Sequence, residues 1–170
     1  MFGFITRRDF RVMQRANNWP APRWVRVWAL LATRLGDGWL WGAFGVAVLL
    51  LGDANRWAAL GASGLASAIS VVFFMLLKRV TGRRRPLQPH CWATLLPPDR
   101  FSFPSGHTMT AFAVTVAMSL FYPKLWPGML FCGCSIGTSR ILLGMHFLSD
   151  VLAAAVLGSG IGYLAYLVFA

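Results

Sequence analysis

From Trp57 to Leu77 the chain runs for twenty-one residues without one charged side chain. Wound as a helix, that stretch is about 30 Å long, the hydrocarbon thickness of a bilayer. A helix that is apolar on every side finds its natural solvent in lipid, where its backbone bonds are satisfied internally. Three later stretches repeat the pattern, Gly106–Tyr122, Pro127–Leu143 and Phe147–Phe169. Trp39–Leu51 is apolar but short, so it crosses only if it tilts, if the bilayer thins, or if it borrows upstream residues. Trp24–Leu35 carries Arg26 and Arg34 among Val, Trp and Leu, which suits a helix lying in the membrane interface. The expected architecture is all-α, an integral-membrane bundle of five to six helices with an N-terminal interfacial helix.

Composition agrees. Hydrophobic residues make up 57% and charged residues 12%, against roughly 45–50% and about 25% in soluble domains. Sixteen Lys and Arg face five Asp and no Glu, a formal net charge of +11. That charge sits beside apolar spans, so anionic lipid head groups are the expected partner and nucleic acid is not. Seven of the eight Trp, at 19, 24, 28, 39, 41, 57 and 126, fall at proposed span ends or in the interfacial segment, where an amphipathic ring prefers to sit. Gly61, Gly64, Gly158, Gly160 and Gly162 are read as close-packing positions between helices. The three cysteines form no disulfide framework, and no Cys/His spacing suits zinc, so neither a metal nor a cofactor is expected. Met1–Arg15 lacks the apolar block and cleavage site of a removable signal peptide. A single domain over 1–170 is expected, with a basic interfacial segment at 1–36 and a polar loop at 78–104.

Three polar clusters stand at the ends of different spans: Lys78 with Arg85-Pro86, then Pro104-Ser105-Gly106-His107, then Ser139-Arg140 with His146 and Asp150. If successive spans alternate in direction, all three meet at one membrane face. Lys78, Arg85 and Arg140 would there supply three cations, and arginine holds phosphate oxygens in a planar fork. Ser105 and Gly106 open a helix whose unpaired N–H groups attract an anion. His146 and Asp150, four apart, share a helix face, so the carboxylate can take one imidazole proton and leave the other nitrogen to attack phosphorus. His107 suits proton donation to the leaving oxygen. Charge on the transferring group is met by the cations, without magnesium.

Each residue also has a plainer reading. Lys78 alone could snorkel at a helix end. The Arg79, Arg83 and Arg84 run reads as a solvated or lipid-contacting face, and Pro104-Ser105-Gly106 as a turn and cap. His90 reads as a loop residue without catalytic duty. Asp150 resists that treatment, because an acid just inside an apolar span is costly.

Taken together, the eleven residues in this order and spacing resemble the three-part signature of the type-2 phosphatidic acid phosphatase superfamily, over roughly Trp57 to the C-terminus. The resemblance implies a six-helix membrane phosphatase with His146 as nucleophile, Asp150 as its partner and His107 as the acid. It implies phosphate binding by Lys78, Arg85, Ser105, Gly106 and Arg140. The expected substrate is a lipid phosphate or diphosphate of the undecaprenyl diphosphate, phosphatidic acid or phosphatidylglycerophosphate type. Two alternatives use the same cluster: lipid-to-lipid phosphotransfer, and head-group binding without turnover. Members of the family have two full spans before the one ending in the Lys motif, where this chain shows one short span and an interfacial segment. With five spans, the N-terminal arginines share a side with the 78–100 loop and the positive-inside rule points the site to the cytoplasm. The resemblance points it to the periplasmic or outer face of a bacterial inner membrane, the orientation expected here.

Overall fold

The computed structural model describes residues 2–86 and 100–170. His90 and Cys91 lie outside the described residues. Among the described residues seven α-helices follow in order: α1 (Phe2–Asn18), α2 (Arg23–Leu35), α3 (Trp39–Leu51), α4 (Arg56–Thr81), α5 (Gly106–Phe121), α6 (Trp126–Leu142) and α7 (Leu148–Phe169). The chain is an all-α, integral-membrane helix bundle. By length and composition α4 and α7 are each able to cross a bilayer, and α2 with α3 pass the same test as a pair bent by 63°.

The expected spans recur as helices within a residue or two, α5 and α6 being shorter than the length that α4 and α7 meet, and with one further difference. α4 continues a full turn past Leu77 and carries Lys78 in its last turn. It stops at Gly82, whose φ of 58° is the left-handed cap that lets its N–H reach back to the Lys78 carbonyl. α1 was not anticipated as a helix. It turns Asp9, Met13 and Asn17 inward at four-residue spacing, while Arg7, Arg8, Arg11 and Arg15 stay exposed.

α5 is the central helix, packed by α4, α6 and α7. Its buried residues are mostly small, including Ala111, Ala113 and Ala117. Against it α7 sets two glycines one turn apart. A Cβ on Gly158 would lie 2.2 Å from the Met109 carbonyl oxygen, and one on Gly162 would lie 2.3 Å from that of Ala113. Small residues at this spacing let two backbones approach closely in lipid, where dispersion drives packing. Gly61 is filled by the Phe169 ring, whereas Gly64 and Gly160 face open space and have no packing role of this kind. Gly158→Ala is accordingly expected to destabilise the bundle by about 1–3 kcal/mol, and Gly160→Ala to leave it unchanged. Thermal unfolding in detergent checks the pair.

Outside this core the surface is apolar. Val72, Phe73 and Leu76 of α4 and Val156, Leu164 and Val168 of α7 are exposed, as lipid-facing helix sides must be. Trp24, Trp39 and Trp57 are also exposed. α2 packs Ala29 against Leu143 and Met145, beyond the C-terminal end of α6. That places it across the same end of the bundle at which α4 and α6 finish and α5 and α7 begin.

Candidate functional site

That end gathers the three polar clusters. The stretch after α4 pairs antiparallel with the stretch before α5, through an Arg84–Phe101 bridge and the Ser102 N–H donating to the Arg83 carbonyl at 2.7 Å. Side chains alternate along an extended segment. Arg83 and Arg85 therefore turn toward the bundle while Arg84 is exposed. Arg85 is buried, donates to the Met145 carbonyl at 3.1 Å, and places Nη1 3.2 Å from Nε2 of His146.

His146 is aimed by the turn that follows α6. Gly144 has φ 65°, a left-handed conformation, with Asn17 of α1 pressed where a Cβ would stand. The N–H groups of Met145 and His146 both return to the Arg140 carbonyl. The imidazole is then fully enclosed, and Nδ1 donates to the Ser102 carbonyl at 2.6 Å. With the proton on Nδ1, Nε2 keeps its lone pair and faces Arg85. Complete burial, then the cations Arg140, Arg85 and Lys78, hold this imidazole well below its ordinary protonation range. A neutral, singly tautomeric imidazole is what a nitrogen nucleophile requires.

Asp150 is placed differently from the sequence expectation. Its Oδ2 lies 3.7 Å from His146 Nδ1, too long for the hydrogen bond that Ser102 makes instead. Oδ2 accepts the Phe147 N–H at 2.9 Å, and Oδ1 accepts from Arg83 at 2.6 Å. Asp150 thus closes the N-terminus of α7 and anchors the chain on either side of His146. Arg83 also departs from the solvated face expected of it. It bonds Asp150, Ser149 and Asp9 together and lies 4.3 Å from the Phe147 ring centroid. Asp9 in turn accepts from the Ser149 N–H and hydroxyl, so α1 caps α7 from another part of the chain.

The remaining members converge on the same place. Ser105 begins α5 and shares a 2.9 Å hydrogen bond with Thr108. Its N–H reaches the Asp150 carbonyl at 3.3 Å, tying the starts of α5 and α7. The Cβ position of Gly106 is occupied by the Phe74 ring at 3.0 Å, over which Lys78 Nζ sits 5.3 Å from the centroid. The missing side chain thus serves the α4–α5 contact that seats Lys78. Arg140 is buried and donates to Thr33 of α2. His107 Nε2 meets Asp37 Oδ1 at 2.6 Å. Lys78 and Arg140 act electrostatically on both imidazoles. One end of the bundle therefore holds two histidines among three cations.

Sequence reasoning missed Asp9, Thr33, Asp37, Arg83 and Ser102. Ser102 acts through a backbone carbonyl and leaves no trace in side-chain type. The two acids did leave one: with only five Asp and no Glu in the chain, each acid near a basic cluster was a candidate partner.

Several known proteins are similar to this chain. A lipid A 1-phosphatase of Rhizobium johnstonii is 36% identical over 101 residues, which are 56% of this chain and 41% of the relative. A decaprenylphosphoryl-5-phosphoribose phosphatase of Mycobacterium tuberculosis is 34% identical over 126 residues, covering 74% and 68% of the two chains. The undecaprenyl-diphosphatase BcrC of Bacillus subtilis is 33% identical over 123 residues, covering 71% and 63%. The chain thus spans about two-fifths of the length of the lipid A 1-phosphatase. In fold it is similar to the Aquifex aeolicus LpxE crystal structure, with a TM-score of 0.75 and 24% identity over 92% of this chain and 93% of that one. It is likewise similar to a transmembrane PAP2-type phosphatidylglycerolphosphate phosphatase from Bacillus subtilis, with a TM-score of 0.74 and 23% identity over 95% and 84% of the chains. The PAP2 superfamily profile matches residues 57–170, the stretch that carries all eleven residues of the three-part pattern, and this chain belongs to that superfamily.

Proposed function

We propose that this protein is a lipid phosphatase that removes a phosphoryl group from a membrane lipid phosphate or diphosphate through a phosphohistidine on His146. The observation that carries the reading is the enclosed His146, with its proton committed to Ser102 and its lone pair facing Arg85. Phosphoryl transfer asks mainly for positioning and charge stabilisation. Lys78, Arg85 and Arg140 supply the charge, and the opening of α5 at Ser105 and Gly106 adds backbone donors.

His146 Nε2 forms a bond to phosphorus while the bond from phosphorus to the lipid oxygen breaks. That oxygen takes a proton from the His107 imidazolium and leaves as an alcohol, or as a lipid monophosphate when the substrate is a diphosphate. Water then attacks the phosphohistidine and gives a proton to the neutral His107. The P–N bond breaks, inorganic phosphate leaves, and both histidines return to their starting states. Asp150 holds the His146 segment through Arg83 and the start of α7. The relatives' names cover lipid A, polyprenyl diphosphate and a decaprenyl-linked phosphoribose. They support a phosphate borne by a membrane-anchored lipid as the substrate class, and we propose that the site faces the outer side of a bacterial inner membrane, as the family resemblance implies.

Purified protein in detergent should release inorganic phosphate from undecaprenyl diphosphate or phosphatidic acid with chelator present. Transfer to an added lipid alcohol without release would make it a phosphotransferase, and binding without turnover a head-group receptor. Orientation is read with Arg84→Cys in a cysteine-free background. Labelling by an impermeant thiol reagent in intact cells is expected, and protection would turn the site to the cytoplasm.

A further inference from the structure

The turn between α2 and α3 brings a carboxylate to the second histidine. Asp37 stands between Gly36 and Gly38, and Gly38 has φ 121°, open to glycine and strained for any other residue. Gly36 is pressed against the site. A Cβ there would lie 3.1 Å from Ile136 of α6 and 3.3 Å from Cδ2 of His107. Asp37 Oδ1 takes the position 2.6 Å from His107 Nε2. The charged groups acting on this ring are Asp37 from the turn, Arg140 from α6 and Lys78 from α4. Two of the three are cations, which oppose an imidazolium, and Asp37 is the anion that favours it.

The roles assigned to His107 pull against its surroundings. A proton donor must be charged at the start of the step, yet its site is built to attract phosphate with fixed cations. His107 side-chain exposure is 25% and that of Asp37 is 48%, so this pair is partly enclosed where His146 is closed. Asp37 also lies outside residues 57–170, the stretch the family profile matches. The N-terminal region of this chain supplies it.

We propose that Asp37 is a positioning residue for His107, holding the Nε2 proton and the plane of the ring so that Nδ1 presents its proton to the leaving oxygen. The proposal rests on the reading of the protein as a lipid phosphatase with His107 as the acid. In the first step the Nδ1 proton passes to the lipid oxygen as the P–O bond breaks, while the Nε2 proton stays between imidazole and carboxylate. In the second step Nδ1 recovers a proton from the attacking water. Asp37 neither touches phosphorus nor takes up a proton.

The test compares wild type with Asp37→Asn and Asp37→Glu as purified full chains in detergent. Asp37→Asn should lower kcat by roughly 10- to 100-fold, part of what a positioned acid supplies, and change KM by less than about threefold. The alkaline limb of its pH–kcat profile should move to lower pH, because an imidazolium without its anion deprotonates sooner. Asp37→Glu should recover most of the rate. An aryl phosphate, whose leaving group needs little protonation, should lose less than an alkyl lipid phosphate. A pH profile and kcat within about twofold of wild type, or equal losses on both leaving groups, would overturn the proposal. Histidine NMR titration of wild type and Asp37→Asn, with His107→Gln for assignment, reads the pair without turnover. A lower His107 titration midpoint in Asp37→Asn is expected, and an unchanged midpoint overturns the proposal. If wild type releases no phosphate, the phosphatase reading falls, and the titration alone decides the pair.

Discussion

Replacing His146 by alanine should lower phosphate release by more than roughly 10⁴-fold, the scale on which losing a nucleophile abolishes turnover. The bundle should still assemble. His146 lies in the turn between α6 and α7, and its contacts, Ser102 and Arg85, belong to the loop side of the site. The α5–α7 interface, packed through Gly158 and Gly162, does not involve it. The measurement is a paired one, phosphate release together with the detergent elution profile and thermal unfolding. Residual activity within tenfold of wild type in a folded variant would remove His146 from the nucleophile's place, whatever the relatives do.

The second large effect concerns a residue that touches neither histidine. Arg83→Ala should destabilise the protein by about 3–5 kcal/mol and reduce turnover with it, because it strips the cation from a buried carboxylate. Asp150 has no exposed surface and Asp9 is nearly as enclosed. Arg83 is the guanidinium that lies between them, at 2.6 and 2.8 Å. Asp150 would keep the Phe147 N–H and lose its charge partner. The N-terminus of α7 would then loosen two residues from His146. Arg84→Ala, one residue along and exposed, is the control and should sit near wild type in both unfolding temperature and rate. Equal effects at 83 and 84 would mean that the inward and outward alternation along this segment is wrong.

Why one arginine of this run matters and its neighbour does not shows where sequence reading stops. Arg83, Arg84 and Arg85 are identical in type and adjacent. Only the pairing of their segment with residues 100–102 sends 83 and 85 inward and 84 outward. Arg85 was singled out by its proline and its place in the pattern, but nothing local marked Arg83. Similarly, the four-residue spacing of His146 and Asp150 suggested a shared helix face and a bond between them, whereas His146 lies in the turn before α7 and stands 3.7 Å from the carboxylate. The spacing could not reveal that Ser102, forty-four residues upstream, offers its carbonyl at closer range. A backbone acceptor carries no residue signature, so any sequence account will hand its proton to the nearest acid.

The spans were legible because a bilayer imposes a length and a hydrophobicity that composition records directly. Trp39–Leu51 was read to the residue, and the helix carrying the Lys motif to within a turn. The packing glycines were legible only as a class. Gly158 and Gly162 meet backbone, while Gly160, between them in sequence, faces away, because a helix turns about 100° per residue. α1 escaped notice altogether. Its inward stripe mixes Asp9, Met13 and Asn17, which form no apolar period until their partners on α7 and the Gly144 turn are known.

What the sequence determined by itself was the solvent, the helices after α1 and the candidate set of eleven residues, since each depends on chain-local chemistry: apolar length, turn residues and spacing within a helix. What only the tertiary structure decided was who bonds to whom. Asp37 reaches His107 from seventy residues away and Asp9 reaches Ser149 from one hundred and forty. Those separations are bridged by the order in which helices stack at one end of the bundle. Stacking is a property of complementary surfaces, which no single segment contains.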